Sequence, residues 1–247
     1  MTRNFKIIVE YDGTHFFGWQ RQKDKKTIQG ELEKALSRIM NQNIRITGSG
    51  RTDSGVHALG QVANFHALTD MDPYMIKKAA NSMIKDPIVI RECCVVDDAF
   101  HAQYDAVSKE YHYYMLNRED PSAIGALFQW HIRRPLDIGW MQQCCRAIVG
   151  VHDFQSFENT GSPRSTTIRE VGGSEIRQLE ENRLAFIIRA NGFLKYMVRN
   201  LIGTIVLAGQ KKISVQEFTD ILKAKDRRKA GPTAPPHGLF LKQVNYF

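Results

Sequence analysis

Residues 50–58 read Gly50-Arg51-Thr52-Asp53-Ser54-Gly55-Val56-His57-Ala58 and concentrate more chemistry than any other stretch of the chain. One carboxylate, Asp53, follows the guanidinium of Arg51 by two residues and lies between Gly50 and Gly55. Glycines let the backbone turn sharply and a ligand come close. The Arg51 side chain is a planar fork of donors suited to phosphate. Asp53 offers a nucleophile or a general base. The preceding Ile44-Arg45-Ile46-Thr47 alternates apolar and polar, which predicts a strand over 44–49 and a loop leaving its end. A loop set on a rigid scaffold is a natural place for catalysis.

Arg199 is the second candidate. In helical projection Phe193, Leu194, Met197, Val198, Leu201, Ile202, Ile205 and Val206 cover one broad face, and Arg199 lies just past its edge. An arginine there either snorkels to water, the commoner case, or meets an anion. Asp53 is the carboxylate that the second reading names. Tyr111 belongs to an aromatic run, 108–116, whose alternation puts Tyr111 and Tyr113 on one side and His112 and Tyr114 on the other. Such strands are mostly core, but a tyrosine beside a nucleotide site stacks on a base or acts through its hydroxyl.

Residues 15–26 interleave Phe16, Phe17 and Trp19 with Arg21, Lys23, Lys25 and Lys26. Rings that stack on bases and cations that hold phosphates suit RNA. One or two of those rings are equally suited to covering the core. A second cationic run, Lys211, Lys212, Lys223, Lys225, Arg227, Arg228 and Lys229, is either a solvated face or a set of phosphate contacts.

The bulk properties agree with an anionic partner. The 247 residues carry a formal net charge of +8, and 43% are hydrophobic, enough for one large domain or two small ones. The cysteines come as adjacent pairs, Cys93-Cys94 and Cys144-Cys145, without the spacing of a zinc site. The histidines form no HxxxH or HExxH pattern. No metal and no disulfide are expected, in keeping with a reducing compartment. No apolar signal segment precedes the first strand pattern, and residues 193–209 are too short and too polar to span a bilayer. The expected location is the cytoplasm.

The elements that must position these groups follow from periodicity. A strand is expected at 5–11, then a helix capped by Thr27 with Ile28, Leu32, Ala35, Leu36 and Ile39 on its inner face. A strand at 61–65, a helix at 73–84 and strands at 88–96 and 108–116 follow. Residues 119–122 and Pro135 break the chain. Beyond them a helix at 137–149, strands at 167–178 and 183–190, helices at 193–209 and 214–224 and a strand at 238–246 are expected. This order predicts an α+β fold, mainly antiparallel sheet with helices on one face. The expected division is 1–118 carrying the Asp53 loop, a connecting segment 119–136, and a second half 137–247.

Several segments together carry a family resemblance. They are Tyr11-Asp12-Gly13-Thr14 with Phe17-Gly18-Trp19-Gln20, Thr27-Ile28-Gln29-Gly30, the stretch 50–58, Phe100-His101-Ala102, and Ser108-Lys109-Glu110-Tyr111. Gly192-Phe193-Leu194 with Met197-Val198-Arg199, and Ala234-Pro235-Pro236-His237-Gly238-Leu239, complete them. In this order, along nearly the whole chain, the sequence resembles the TruA family of tRNA pseudouridine synthases. The resemblance implies two ferredoxin-like halves with an RNA-binding cleft between them, a homodimer, and no metal or organic cofactor. It implies that Asp53 is the essential aspartate and that Arg51 displaces the target nucleotide. It also implies that Tyr111 packs on the target base and that Arg199 pairs with the aspartate. Arg21, Lys23 and His57 are expected on the substrate side, His57 chiefly as a hydrogen-bonding support of the loop. The implied reaction is isomerisation of uridine to pseudouridine at positions 38, 39 and 40 in the anticodon stem-loop of tRNA.

Other readings compete. A glycoside or nucleoside hydrolase uses two carboxyl groups, and Asp12 or Glu10 would have to join Asp53. A non-catalytic RNA-binding module fits the charge and the aromatics but gives no reason for Asp53, because a carboxylate repels phosphate. A paralogue redirected to another RNA, such as rRNA, shares every motif. A zinc deaminase is excluded by the lack of HxE and PCxxC motifs.

Overall fold

The computed structural model describes residues 1–159, 161 and 165–247. It divides into two compact units, one of Met1–Val107 with Phe240–Phe247 and one of Ser108–Leu239. Both are built mainly from antiparallel strand pairs with helices, an α+β architecture.

In the first unit, β1 (Thr2–Tyr11) buries Phe5, Ile7, Val9 and Tyr11 by strict alternation. It pairs antiparallel with β3 (His57–Leu68) and β4 (Ile88–Val96). Helix α1 (Ile28–Met40) begins where Thr27 accepts a hydrogen bond from the Gly30 amide, and it buries Ile28, Leu32 and Leu36. Helix α2 (Pro73–Met83) is capped by Asp72, has proline in its first turn, and packs on β4. The strand expected over 44–49 shrinks to β2 (Thr47–Gly48). The amides of Ile44 and Ile46 donate to Ser37 Oγ and Glu33 Oε1 on α1, so helix side chains take the place of a ladder partner. Strand β3 starts at His57, earlier than alternation predicts. Tyr11 faces Ala58 on one side of it, and the chain's last strand pairs parallel on the other.

In the second unit, β5 (Ser108–Leu116) pairs antiparallel with β9 (Arg183–Ala190), and β8 (Ile168–Gln178) joins β9 to β7 (Gly150–Asp153). The short β6 (Trp130–His131) lies parallel to β5. Helix α3 (Ile138–Ala147) packs against β8, against α4 (Met197–Gly209) and against α5 (Val215–Ala224). The strand β10 (Leu239–Asn245) closes the element order, and its residues 240–245 belong to the first unit. The units thus divide the chain elsewhere than expected. Residues 108–118 go with the second unit because β5 pairs with β9, and the C-terminus returns to β3.

Helix α4 starts at Met197, four residues later than the apolar run predicts. Tyr196 just before it is left-handed, with φ 63°. Nearly every side chain of α4 is buried, Arg199, Asn200 and Thr204 included. The segment 227–234 wraps its polar side: Gly231 N donates to Thr204 Oγ1, and Arg227 and Thr233 donate to Asn200 Oδ1. A Cβ at Gly203 would lie 1.9 Å from the Pro232 oxygen, so only glycine allows this approach.

Candidate active site

The Asp53 loop spans the gap between β2 and β3 and is pinned through its backbone. The Trp19 amide donates to the Thr52 carbonyl at 3.1 Å, and the Val56 amide donates to the Asp53 carbonyl at 3.1 Å. Ser54 Oγ donates to the Phe16 carbonyl at 3.0 Å. Gly55 takes φ 76°, which a glycine adopts without strain. Gly18, with φ 83°, passes so close that a Cβ would lie 2.6 Å from the Thr52 oxygen. Trp19 and Phe16 are both 2% exposed, so these rings cover the core beneath the loop. Thr52 is buried with its Oγ1 2.8 Å from the Tyr11 hydroxyl, whereas Asp53 is half-buried and Arg51 is exposed. Backbone and neighbours are fixed, and the two charged side chains stand at the surface of that scaffold.

Asp12, Thr14 and His57 form a second polar cluster behind the loop. The Thr14 amide donates to Asp12 Oδ1 at 2.9 Å. His57 Nδ1 lies 3.1 Å from the Gly13 amide and 3.1 Å from Asp12 Oδ1. A lone pair on that nitrogen accepts from Gly13, and a proton on it donates to Asp12, so one protonation state serves one contact. Burial pushes the Asp12 carboxyl up, but the hydrogen bonds from Thr14 and the charges of His57 and His15 hold it below its ordinary value. The His57 ring is 1% exposed and stacks on Phe240 with centroids 4.6 Å apart. A ring so deeply buried fits the expected part of a hydrogen-bonding support for the loop.

Arg21 and Lys23 are exposed in the loop before α1. Arg21 lies 3.5 Å from Glu33, and its amide donates to Gln29 Oε1. Phe17 is 48% exposed with Lys25 Nζ 4.5 Å from its ring centre. Of the three aromatics in this loop, only Phe17 offers a face to solvent.

In the second unit, Tyr111 is 7% exposed and meets Phe193 edge-on at 5.0 Å. Arg199 is 9% exposed, so its guanidinium does not snorkel into water. Its Nε donates to the Ala234 carbonyl at 2.8 Å, and its Cζ lies 4.6 Å from the Tyr196 ring centre. Burial raises the Tyr113 pKa against the opposing Arg199 charge, whereas burial, joined by that charge, lowers the His237 pKa. The sequence-predicted residues therefore fall into two sets. Asp53, Arg51, His57, Arg21 and Lys23 belong to the first unit, Tyr111 and Arg199 to the second.

The cationic run 211–229 is largely committed to protein partners. Lys211 pairs with Asp137, Lys225 with Asp153 and Arg228 with Asp226. Arg227 donates to Asn159, Asn200, Ala230, Gly231 and Thr233, which makes it a hub of the fold. Sequence reasoning missed this role, because the small polar partners surrounding Arg227 carry no charge pattern. It also missed Gln61, a buried amide in the middle of β3 that hydrogen-bonds the loop. Among the described residues, no group of three or more His, Cys, Asp or Glu is placed to hold a metal ion, and no helix is long and apolar enough to cross a membrane.

A family model described as tRNA pseudouridine synthase matches residues 7–105 and 144–247. The chain is 43% identical over 244 residues to "tRNA pseudouridine synthase A" of Thermoanaerobacter sp. (strain X514), covering 99% of this chain and 100% of that one. It is 42% identical over 250 residues to "tRNA pseudouridine synthase A 1" of Desulfotalea psychrophila, again covering 99% and 100%. The solved archaeal box H/ACA sRNP Nop10-Cbf5 complex aligns at TM-score 0.37 and 12% identity over 92% of this chain and 60% of that one, a likeness too distant to guide the reading of the site.

Proposed function

The chain belongs to the tRNA pseudouridine synthase family, and from that premise we propose that it isomerises uridines 38, 39 and 40 in the anticodon stem-loop of tRNA through Asp53. The supporting observation is the placement of Asp53. It is a half-buried carboxylate whose flanking backbone is pinned at Thr52 and at its own carbonyl, two residues from an exposed guanidinium. Electrostatic and covalent catalysis both require that kind of preorganisation.

In the reaction the C1′–N1 bond breaks, the uracil turns, C5 bonds to C1′, and the C5 proton leaves as N1 gains one. Asp53 in its ionised form attacks C1′ or removes the C2′ proton. Arg199 favours that ionised form as its counter-ion, a role that rests on the family resemblance. Arg51 takes the place of the nucleotide drawn from its stack, a step that costs a few kcal/mol. Tyr111 packs on the detached uracil. Arg21 and Lys23 contact phosphates. A homodimer in the cytoplasm completes the reading and rests on the family resemblance.

The test is product mapping. An unmodified tRNA transcript incubated with the protein should acquire pseudouridine at 38–40 where uridine stands, and Asp53→Asn should give none. Release of free uracil would mean hydrolysis and overturn the isomerase reading. Pseudouridine in rRNA alone would redirect the substrate.

A further inference from the structure

We propose that Gln61 is a positioning residue of the reaction, the keystone of a buried hydrogen-bond network that fixes the entrance of the Asp53 loop. The inference rests on the reading of Asp53 as the reacting carboxylate. Gln61 is 0% exposed in the middle of β3. Its Oε1 accepts from Ser49 Oγ at 2.7 Å, and its Nε2 donates to the Gly50 carbonyl at 3.0 Å. One side chain therefore holds two successive residues of the loop, with Arg51 next in sequence. Ser49 is also 0% exposed, and its amide donates to the Val62 carbonyl at 2.7 Å.

The Tyr11 hydroxyl holds the loop at a further point, 2.8 Å from Oγ1 of Thr52, the residue just before Asp53. Burial drives the Tyr11 phenol well above its ordinary value, so it stays protonated at every working pH. Gln61 and Tyr11 together thus hold Ser49, Gly50 and Thr52, which lead into Asp53. An apolar side chain would fill the core position of Gln61 more simply. The amide is suited there because it satisfies a hydroxyl and a carbonyl at once, and satisfied buried hydrogen bonds rigidify the segment they hold.

The chemical consequence is geometric. A shift of about 1 Å in the reacting group costs on the order of 10²-fold in rate. Substrate affinity, spread over many phosphate contacts, does not feel that shift. The experiment compares Gln61→Leu, Tyr11→Phe and Asp53→Asn in the full-length protein. It reads the single-turnover rate of pseudouridine formation with tRNA saturated, the tRNA Kd and the thermal midpoint. Tyr11→Phe removes only a hydroxyl and keeps the inference testable if Gln61→Leu does not fold. The expected result is a rate loss of about 10- to 100-fold in each network variant with Kd unchanged. A parental rate in Tyr11→Phe and in any folded Gln61→Leu, with Asp53→Asn inactive, overturns the inference and leaves the Asp53 reading standing. Rate and affinity falling together also overturns it. Turnover by Asp53→Asn would remove the reading and the inference with it.

Discussion

Arg199 and Ala234 are joined twice: Arg199 Nε donates to the Ala234 carbonyl at 2.8 Å, and the Ala234 amide donates to the Arg199 carbonyl at 3.1 Å. The guanidinium is therefore aimed by backbone on a neighbouring segment. Lysine has no Nε–H and no fork, so Arg199→Lys should keep the charge and lose the aim. We expect destabilisation of about 1–3 kcal/mol by urea unfolding, with turnover falling further than tRNA affinity. The proposed partnership with Asp53 is tested by a thermal double-mutant cycle of Arg199→Met and Asp53→Asn. Non-additive effects are expected; strict additivity would mean the two residues do not interact.

Arg227 separates fold from RNA contact. It spends its donors on Asn159, Asn200, Ala230, Gly231 and Thr233. Arg227→Leu should cost about 2–3 kcal/mol in urea unfolding, because several buried acceptors lose a charged donor together. The salt dependence of tRNA binding should stay as in the parent. Lys23→Ala should do the reverse, with parental stability and a salt slope reduced by about 1.

Gly18→Ala tests the packing under the loop. A Cβ there meets the Thr52 oxygen at 2.6 Å from a backbone at φ 83°. We expect about 1–3 kcal/mol of destabilisation and a turnover loss larger than that of an alanine at Gly173, where a Cβ meets nothing within 4 Å. Equal turnover in the two variants would show that the Thr52 backbone has no bearing on the chemistry.

His237 supplies a pH signature. Burial first, and then the Arg199 charge, hold its pKa below the ordinary 6.5. The unfolded chain therefore binds a proton that the folded one resists. The stabilising effect is fully present above pH 6.5 and is lost as pH falls from there through the folded pKa. Urea midpoints taken downward from neutral pH should decline, and His237→Gln should flatten that decline. An unchanged slope in the variant would assign the effect to other groups.

Local chemistry was legible in the sequence, and non-local pairing was not. Thr27 as a cap, the alternation of Phe5, Ile7, Val9 and Tyr11, and the glycine-flanked Asp53 loop all follow from neighbours in the chain. Ile44 and Ile46 read as strand because alternation does not reveal that Ser37 and Glu33 take their amides. The parallel pairing of Phe240 with His57 joins residues far apart in sequence, so the unit boundary escaped. Arg199 looked peripheral because a helical wheel shows one helix and omits the 227–234 segment that covers its polar side.

The central claim is that Asp53 acts on the ribose while the rest of the protein holds the tRNA. The most direct measurement is single-turnover pseudouridine formation by Asp53→Asn, on tRNA shown to be bound. The account predicts parental affinity, a cooperatively folded protein and no pseudouridine. Substantial product from that bound complex would contradict it.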